Sequence, residues 1–181
     1  MSHRDIIEGL QSKLLPTSTE QGANAAVALL LRLKKGDLEV LFVKRVENLA
    51  DPWSGQIGLP GGKREPKDLN LRQNVIRETL EEVGINLDDN CRFLGVLPAL
   101  RSRPRPEIKI LPFVIFLEHE PLIRLNVEEL QESFWLMLGQ IEKSRGTAKF
   151  ASFEATAFIL GEAVIWGLTY RILESLFEVL R

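Results

Sequence analysis

The run Gly61-Gly62-Lys63-Arg64-Glu65-Pro66-Lys67-Asp68, followed by Arg77-Glu78-Thr79-Leu80-Glu81-Glu82-Val83-Gly84-Ile85, decides how this chain folds. A glycine turn leads into a helix expected over roughly residues 70–83. On a helix, positions i, i+3 and i+4 share a face, so Glu78, Glu81 and Glu82 crowd one stripe. Like charges at that spacing cost a few tenths of a kcal/mol per pair, roughly. Ile76, Thr79, Leu80 and Val83 recur at i, i+3, i+4 and i+7 and are expected to form the buried side. Gly84 suits the left-handed position that ends helices, and Asn70 or Asp68 is placed to cap the start. A hard divalent cation would offset the crowded carboxylates, since Mg²⁺ takes carboxylate oxygens together with substrate phosphates.

Composition bounds the rest. The 181 residues suggest one domain over 1–181, with residues 1–16 as an N-terminal helical extension, and a domain of this size buries about 70% of its unfolded surface. The formal net charge of −2 offers no basic field for nucleic acid. Cys91 is the only cysteine, which rules out an intrachain disulfide and a cysteine zinc site. No long uncharged apolar run and no signal-peptide core occur, so a soluble, cytoplasmic protein without a membrane partner is the expectation.

Along the chain, residues 4–15 read as a short amphipathic helix carrying Ile6, Ile7, Leu10 and Leu14, ended by Pro16 and the Thr17-Ser18-Thr19 cluster. Ala23–Leu33 and Glu39–Lys44 read as strands about a Lys35-Gly36-Asp37 turn. A Pro-, Gly- and Trp-rich loop covers 46–60. Strands are expected at Arg92–Leu97 and Ile108–Leu117, around a proline-broken loop at Arg101–Pro106. Val127–Glu132 reads as a short helix or turn, Phe134–Leu138 as a strand or sheet edge, and Phe158–Leu180 as one long amphipathic helix. Mixed strands with few helices suggest an α+β fold. The apolar C-terminal helix could face the core or a partner subunit, which leaves a homodimer open.

The glycine turn and acidic helix resemble the Nudix box, G-x5-E-x7-R-E-U-x-E-E-x-G-U, with U a bulky aliphatic residue. The second half fits except that Thr79 replaces the first aliphatic. In the first half the acidic position falls on Asp68, and Arg77 lies one residue later than the pattern places it. Asp68 and Glu65 both remain candidates to pair with Arg77. Upstream, Leu41-Phe42-Val43-Lys44-Arg45 and Ser54-Gly55-Gln56-Ile57-Gly58-Leu59-Pro60-Gly61-Gly62 resemble the segment preceding the box in coenzyme A pyrophosphatases, a subfamily that also tends to carry the one-residue extension. Ile165-Trp166-Gly167-Leu168-Thr169 is similar to a phrase common there. Val43, Val46 and Leu59 depart from that signature, and its second arginine falls near Ala50 or Asp51.

The resemblance implies a mixed β-sheet sandwiched between α-helices and a Mg²⁺-dependent hydrolase, with Mn²⁺ as the alternative ion. Its substrate would be a small molecule with a diphosphate linkage, X–O–PO₂–O–PO₂–Y, the leading choice being coenzyme A or an acyl derivative. The alternatives are a broader nucleoside-diphosphate-linked or (d)NTP substrate, or a Nudix-fold binding module without turnover. By the same carry-over Glu78 and Glu82 are principal metal ligands and Glu81 a further ligand or the residue that orients water. The Gly62 carbonyl completes the set, and Arg77 ties loop to helix. A general base would come from a later loop, with Glu107, Glu118, Glu120 and Glu128 as candidates, or from Glu81.

Arg45, Arg101, Arg103 and Arg105 are candidates to grip phosphates, because arginine forks fit them bidentately. A 3′-phosphate of coenzyme A would be one such target. Trp53 either stacks on a base or packs its loop, and Trp166 reads as core. His3 and His119 lack partners at metal spacing. The glycine run is wrongly spaced for a P-loop, with Arg64 where Ser or Thr is needed, and no G-x-S-x-G elbow occurs.

Overall fold

The computed structural model describes residues 3–51 and 53–181, the His3 side chain excepted, so the reading of His3 lies outside the described residues. The chain runs α1 (His3–Lys13), β1 (Ala25–Lys34), β2 (Asp37–Arg45), β3 (Ile57–Gly58), β4 (Gly61–Lys63) and α2 (Leu71–Val83). It continues β5 (Cys91–Val96), β6 (Leu100–Arg101), β7 (Lys109–Leu117), β8 (Leu130–Met137), α3 (Leu138–Lys143) and β9 (Arg145–Lys149). It ends β10 (Glu154–Leu160), β11 (Ala163–Trp166) and α4 (Gly167–Leu180). The fold is α+β.

The main sheet is mixed. β1 lies parallel to β7 and antiparallel to β2, β5 flanks β7, and β8 covers the outer side of β2. Strand alternation separates the two cores. Leu29 and Leu31 of β1, with Val40 and Phe42 of β2, face a layer that includes Ile7 and Leu10 of α1, Ile141 of α3 and Ile172, Leu173 and Leu176 of α4. Ala26, Ala28 and Leu30, with Leu41 and Val43, face Leu71, Val75 and Val83 of α2. The sheet is thus sandwiched between helices, which is why β1, β2 and β7 are apolar almost without interruption.

One irregularity positions the site. β1 pairs with β2 only from Leu31 to Lys34, while its first residues, Ala25–Val27, pair with β4. Further along β2, Val43 and Lys44 pair with β3 instead, while β8 runs along the other edge from Glu39 to Arg45. The two central strands therefore splay, and the glycine turn enters the gap. Gly61 sits at φ +149°, and a Cβ there would lie 2.6 Å from the Val27 Cα. Only glycine lets this backbone lie so close to β1.

Three expectations need correction. Residues 158–180 do not form one helix: β10 and β11 make a hairpin in which Leu160 pairs with Ala163, and only Gly167–Leu180 is helical. The Gly161-Glu162 turn, with Gly161 at φ +60°, breaks the apolar run. Residues 127–129 are a turn, but the strand that follows, β8, begins at Leu130 rather than Phe134, because it closes the outer edge of β2. The buried side of α2 is Leu71, Asn74, Val75, Thr79, Glu82 and Val83, whereas Leu80 is 49% exposed. That face is turned toward the glycine loop, where Asn74 Nδ2 donates to the Lys63 carbonyl at 3.0 Å.

Candidate active site

α2 is held in place at both ends. Asn70 is its N-cap and accepts from the Gln73 N–H at 2.9 Å. Gly84 closes it in the left-handed conformation, its N–H donating to the Leu80 carbonyl. Between the caps, Arg77 ties helix to loop. Its Nε and Nη2 donate to the two oxygens of Asp68 at 3.0 and 2.9 Å, while Glu65 lies at 3.4 Å. Asp68 is therefore the main partner of Arg77, in the bidentate geometry that suits a guanidinium. The Arg77 hydrogen bonds hold the Asp68 carboxyl below the usual carboxylate range, and Asp68 in turn raises the affinity of Arg77 for its proton.

The three helix acids do not stay together. Glu82 is buried, 3% exposed, and its Oε2 accepts the Gly61 N–H at 2.9 Å. Burial pushes its pKa up to about 8, the Gly61 N–H opposes that rise, and the Glu78 charge adds to it. Glu78 lies against Gly62, so closely that a Cβ on Gly62 would come within 2.6 Å of the Glu78 Cδ. Burial raises its pKa too, against the pull of Arg77, whose Nη1 donates to it at 2.8 Å. Glu81 turns away: it is exposed, accepts from Arg77 at 3.0 Å and lies 3.9 Å from the Lys67 Nζ.

Glu78 and Glu82 line a chamber of about 320 Å³ with Arg45, Trp53, Gln56, Gly61, Gly62 and Glu129. Arg45 Nη1 lies 3.9 Å from Glu82, while its Nε donates to Asp51 at 2.7 Å. Asp51 also accepts the Trp53 N–H at 2.9 Å, so it fixes both the arginine and the loop behind it.

Glu129 is the acid that sequence reasoning missed. Its charge raises the pKa of both Glu78 and Glu82, and its Oε1 accepts from Asn126 Nδ2 at 3.0 Å. Asn126 is anchored in turn by its N–H to the Glu82 carbonyl at 2.9 Å. Glu107, Glu118, Glu120 and Glu128 do not line the chamber, and Glu120 pairs with Arg32 instead. The available signal was the adjacent acid pair Glu128-Glu129 at the start of β8, where the turn brings only the second acid inward.

Among the described residues no three His, Cys, Asp or Glu side chains form a group that could hold a metal ion. Arg77 Nη1 donates to both Glu78 and Glu81. The donor set nevertheless suits a hard cation. Glu78, Glu82 and Glu129 line one space with the backbone of Gly61 and Gly62, and the buried Glu82 has only Arg45, at 3.9 Å, as a cationic neighbour. Of the arginines, Arg45 reaches this chamber. Arg103 lines an adjoining one, Arg101 donates to the Pro106 carbonyl at 3.0 Å, and Arg105 lies 5.8 Å over the Trp53 ring. Trp166 is half-buried rather than core, packed on Phe150 and Phe153 at 4.8 and 5.3 Å. Cys91 is half-buried and donates to the Leu87 carbonyl, and burial raises its thiol pKa.

The chain is 35% identical over 138 residues to the peroxisomal coenzyme A diphosphatase ndx-8 of Caenorhabditis elegans, covering 75% of this chain and 58% of that protein. It is 31% identical over 166 residues to the mitochondrial coenzyme A diphosphatase NUDT8 of Mus musculus, covering 87% and 78%. Those names give no support to the cytoplasmic expectation; among the described residues no helix is long and apolar enough to cross a membrane. The fold matches the NUDIX domain of Shewanella oneidensis NrtR, solved with ADP ribose, at a TM-score of 0.59 and 16% identity over the whole of both chains. The NUDIX domain model matches residues 22–156, spanning the splayed sheet, the glycine loop and α2, and the chain belongs to the NUDIX family.

Proposed function

We propose that this protein is a Mg²⁺-dependent pyrophosphohydrolase whose substrate is coenzyme A or an acyl derivative, cut at its diphosphate. The observation that carries the reading is the chamber: a buried Glu82 gripped by Gly61, with Glu78 and Glu129 beside it and Arg45 across it. The identity to two coenzyme A diphosphatases supports the substrate choice. Residues 1–181 are read as one domain, since Ile7 and Leu10 of α1 share a core with α4.

In this reading Glu78, Glu82 and the Gly62 carbonyl hold the ion, with Mn²⁺ as the alternative, and Glu129 lies within reach as a further acid. When bound, the ion would neutralise phosphate charge and help orient the diphosphate. Arg45 adds a fixed positive group for a phosphate oxygen. Glu129 takes the proton of the attacking water, the task previously open among five other acids. Glu81, placed outside the chamber, keeps Arg77 and Lys67 neutralised at its mouth. Arg77 sets the loop against the helix, and Arg101 serves through the shape of its loop.

The departures at Val43, Val46 and Leu59 favour one second reading, a broader nucleoside-diphosphate-linked or (d)NTP substrate in the same chamber. Product release with Mg²⁺ and with EDTA separates them, across coenzyme A, acetyl-coenzyme A, ADP-ribose, NADH, diadenosine polyphosphates and (d)NTPs. Preference for coenzyme A is the expected result. Preference for another diphosphate overturns the substrate, and no Mg²⁺-dependent release from any of them overturns the hydrolase in favour of a binding module.

A further inference from the structure

A second chamber of about 520 Å³ adjoins the carboxylate chamber. Trp53, Gln56 and Leu168 line both, so the two meet across these residues. The second chamber lies between the 101–106 loop, β10 and the start of α4. Its wall has an unusual composition for a surface cleft: Arg103 and Arg171, together with Trp53, Trp166, Phe153 and Tyr170. Neither arginine makes an ion pair among the described residues. The acid on the wall, Glu154, is exposed and lies 3.5 Å from Lys149. Arg171 reaches the loop by donating one Nη1 hydrogen bond to the Arg101 carbonyl at 2.8 Å. This contact brings the cationic loop and α4 together over the aromatic floor.

We propose that this second chamber binds the nucleoside half of the substrate and recognises a phosphomonoester carried on it, with Arg103 and Arg171 as the anion donors and the aromatic side chains as the stacking surface. The proposal rests on the reading of the first chamber as a diphosphate site. Planar bases stack on aromatic faces, and guanidinium forks match phosphate oxygens bidentately. Two unpaired arginines beside such a surface favour a doubly anionic phosphate over a neutral ribose. Arg171, which no sequence motif marked, becomes a specificity-determining residue.

The test compares coenzyme A with dephospho-coenzyme A, which differ by one phosphomonoester. In the wild type the KM for coenzyme A is expected to be about tenfold lower or more, as for one charge-assisted hydrogen-bonded anion. In Arg103→Ala and Arg171→Ala that ratio falls toward one, chiefly through the KM for coenzyme A. Arg103→Ala leaves the Arg171–Arg101 contact in place, so it tests anion recognition apart from loop support. A wild-type ratio near one, or a ratio that both variants leave intact, overturns the proposal. Calorimetric binding of adenosine 3′,5′-bisphosphate against AMP asks the same question without turnover. A preference lost in Arg103→Ala supports the second chamber even where neither coenzyme is hydrolysed, and no preference removes it even where both are.

Discussion

Replacing Glu82 by Gln should abolish Mg²⁺-dependent turnover while making the metal-free protein more stable at high pH. The Glu82 carboxyl is buried and its pKa rises from 4.5 to about 8. Between those values the folded protein holds a proton that the unfolded chain has released, so stability falls as pH rises from about 4.5 and levels off above about 8. At about 1.4 kcal/mol for each tenfold change in proton affinity, the ceiling on this penalty is about 5 kcal/mol. Gln removes the charge and retains an oxygen for the Gly61 N–H, now at 2.9 Å from Oε2. A chain of this length gains roughly 2–4 °C in melting temperature per kcal/mol. Thermal melts in EDTA should therefore put the variant on the order of 10 °C above wild type at pH 9, and within about 3 °C of it at pH 5. Adding Mg²⁺ at pH 8 should raise the wild-type midpoint and leave the variant unmoved. A difference that is the same at pH 5 and pH 9 would refute the assignment of a destabilising buried charge to Glu82, and full turnover in the variant would refute its role at the metal.

Glu129→Gln should lower kcat by about 10²–10⁴-fold if Glu129 is the base, with Mg²⁺ affinity measured separately to show that the loss is not one of metal; Glu128→Gln, whose side chain lies outside the chamber, is the comparison. Thr79 is fully buried and its hydroxyl has no partner, so Thr79→Val should stabilise by about 1 kcal/mol, read as a higher urea midpoint at unchanged m; a lower midpoint would show that the hydroxyl is satisfied. Asp68→Asn removes the bidentate partner of Arg77 and should cost about 3 kcal/mol at pH 7. The Asp68 carboxyl is held below its ordinary 3.8, so its contribution is present above that pH and fades as pH drops through the lower folded value, and the wild-type and variant melts should converge there. Gly61→Ala should prevent folding or lower the melting midpoint sharply, whereas Gly139→Ala in α3, with no atom within 4 Å of the added Cβ, should raise it slightly.

How much of this was legible in the sequence depended on whether a residue acts locally. The caps of α2 could be read because Asn70 and Gly84 act within one turn of their own helix. The strands facing both cores could be read because apolar runs flanked by turn residues need no knowledge of their partners. The exposure of Leu80 could not, because the face α2 presents is set by Asn74 and Glu82 reaching the glycine loop, a demand invisible to periodicity. Residues 158–166 failed differently. Phe158 to Trp166 is apolar enough for either helix or strand, and a single Gly161 was too weak a stop against a longer helical pattern. That misreading hid the hairpin that carries Trp166 and places α4 with Arg171 against the 101–106 loop. The same division runs through the site. Glu78 and Glu82 were found because they share a helix, and the partner of Arg77 stayed open until the loop was folded. Glu129 was missed because the folded turn, not the local sequence, decides which acid of the pair Glu128-Glu129 lines the chamber, and Arg171 because nothing in its own neighbourhood marks it. They join the site only through the splay of β1 from β2 and the packing of α4, so the residues proposed for base and for substrate discrimination are those that tertiary structure alone supplies.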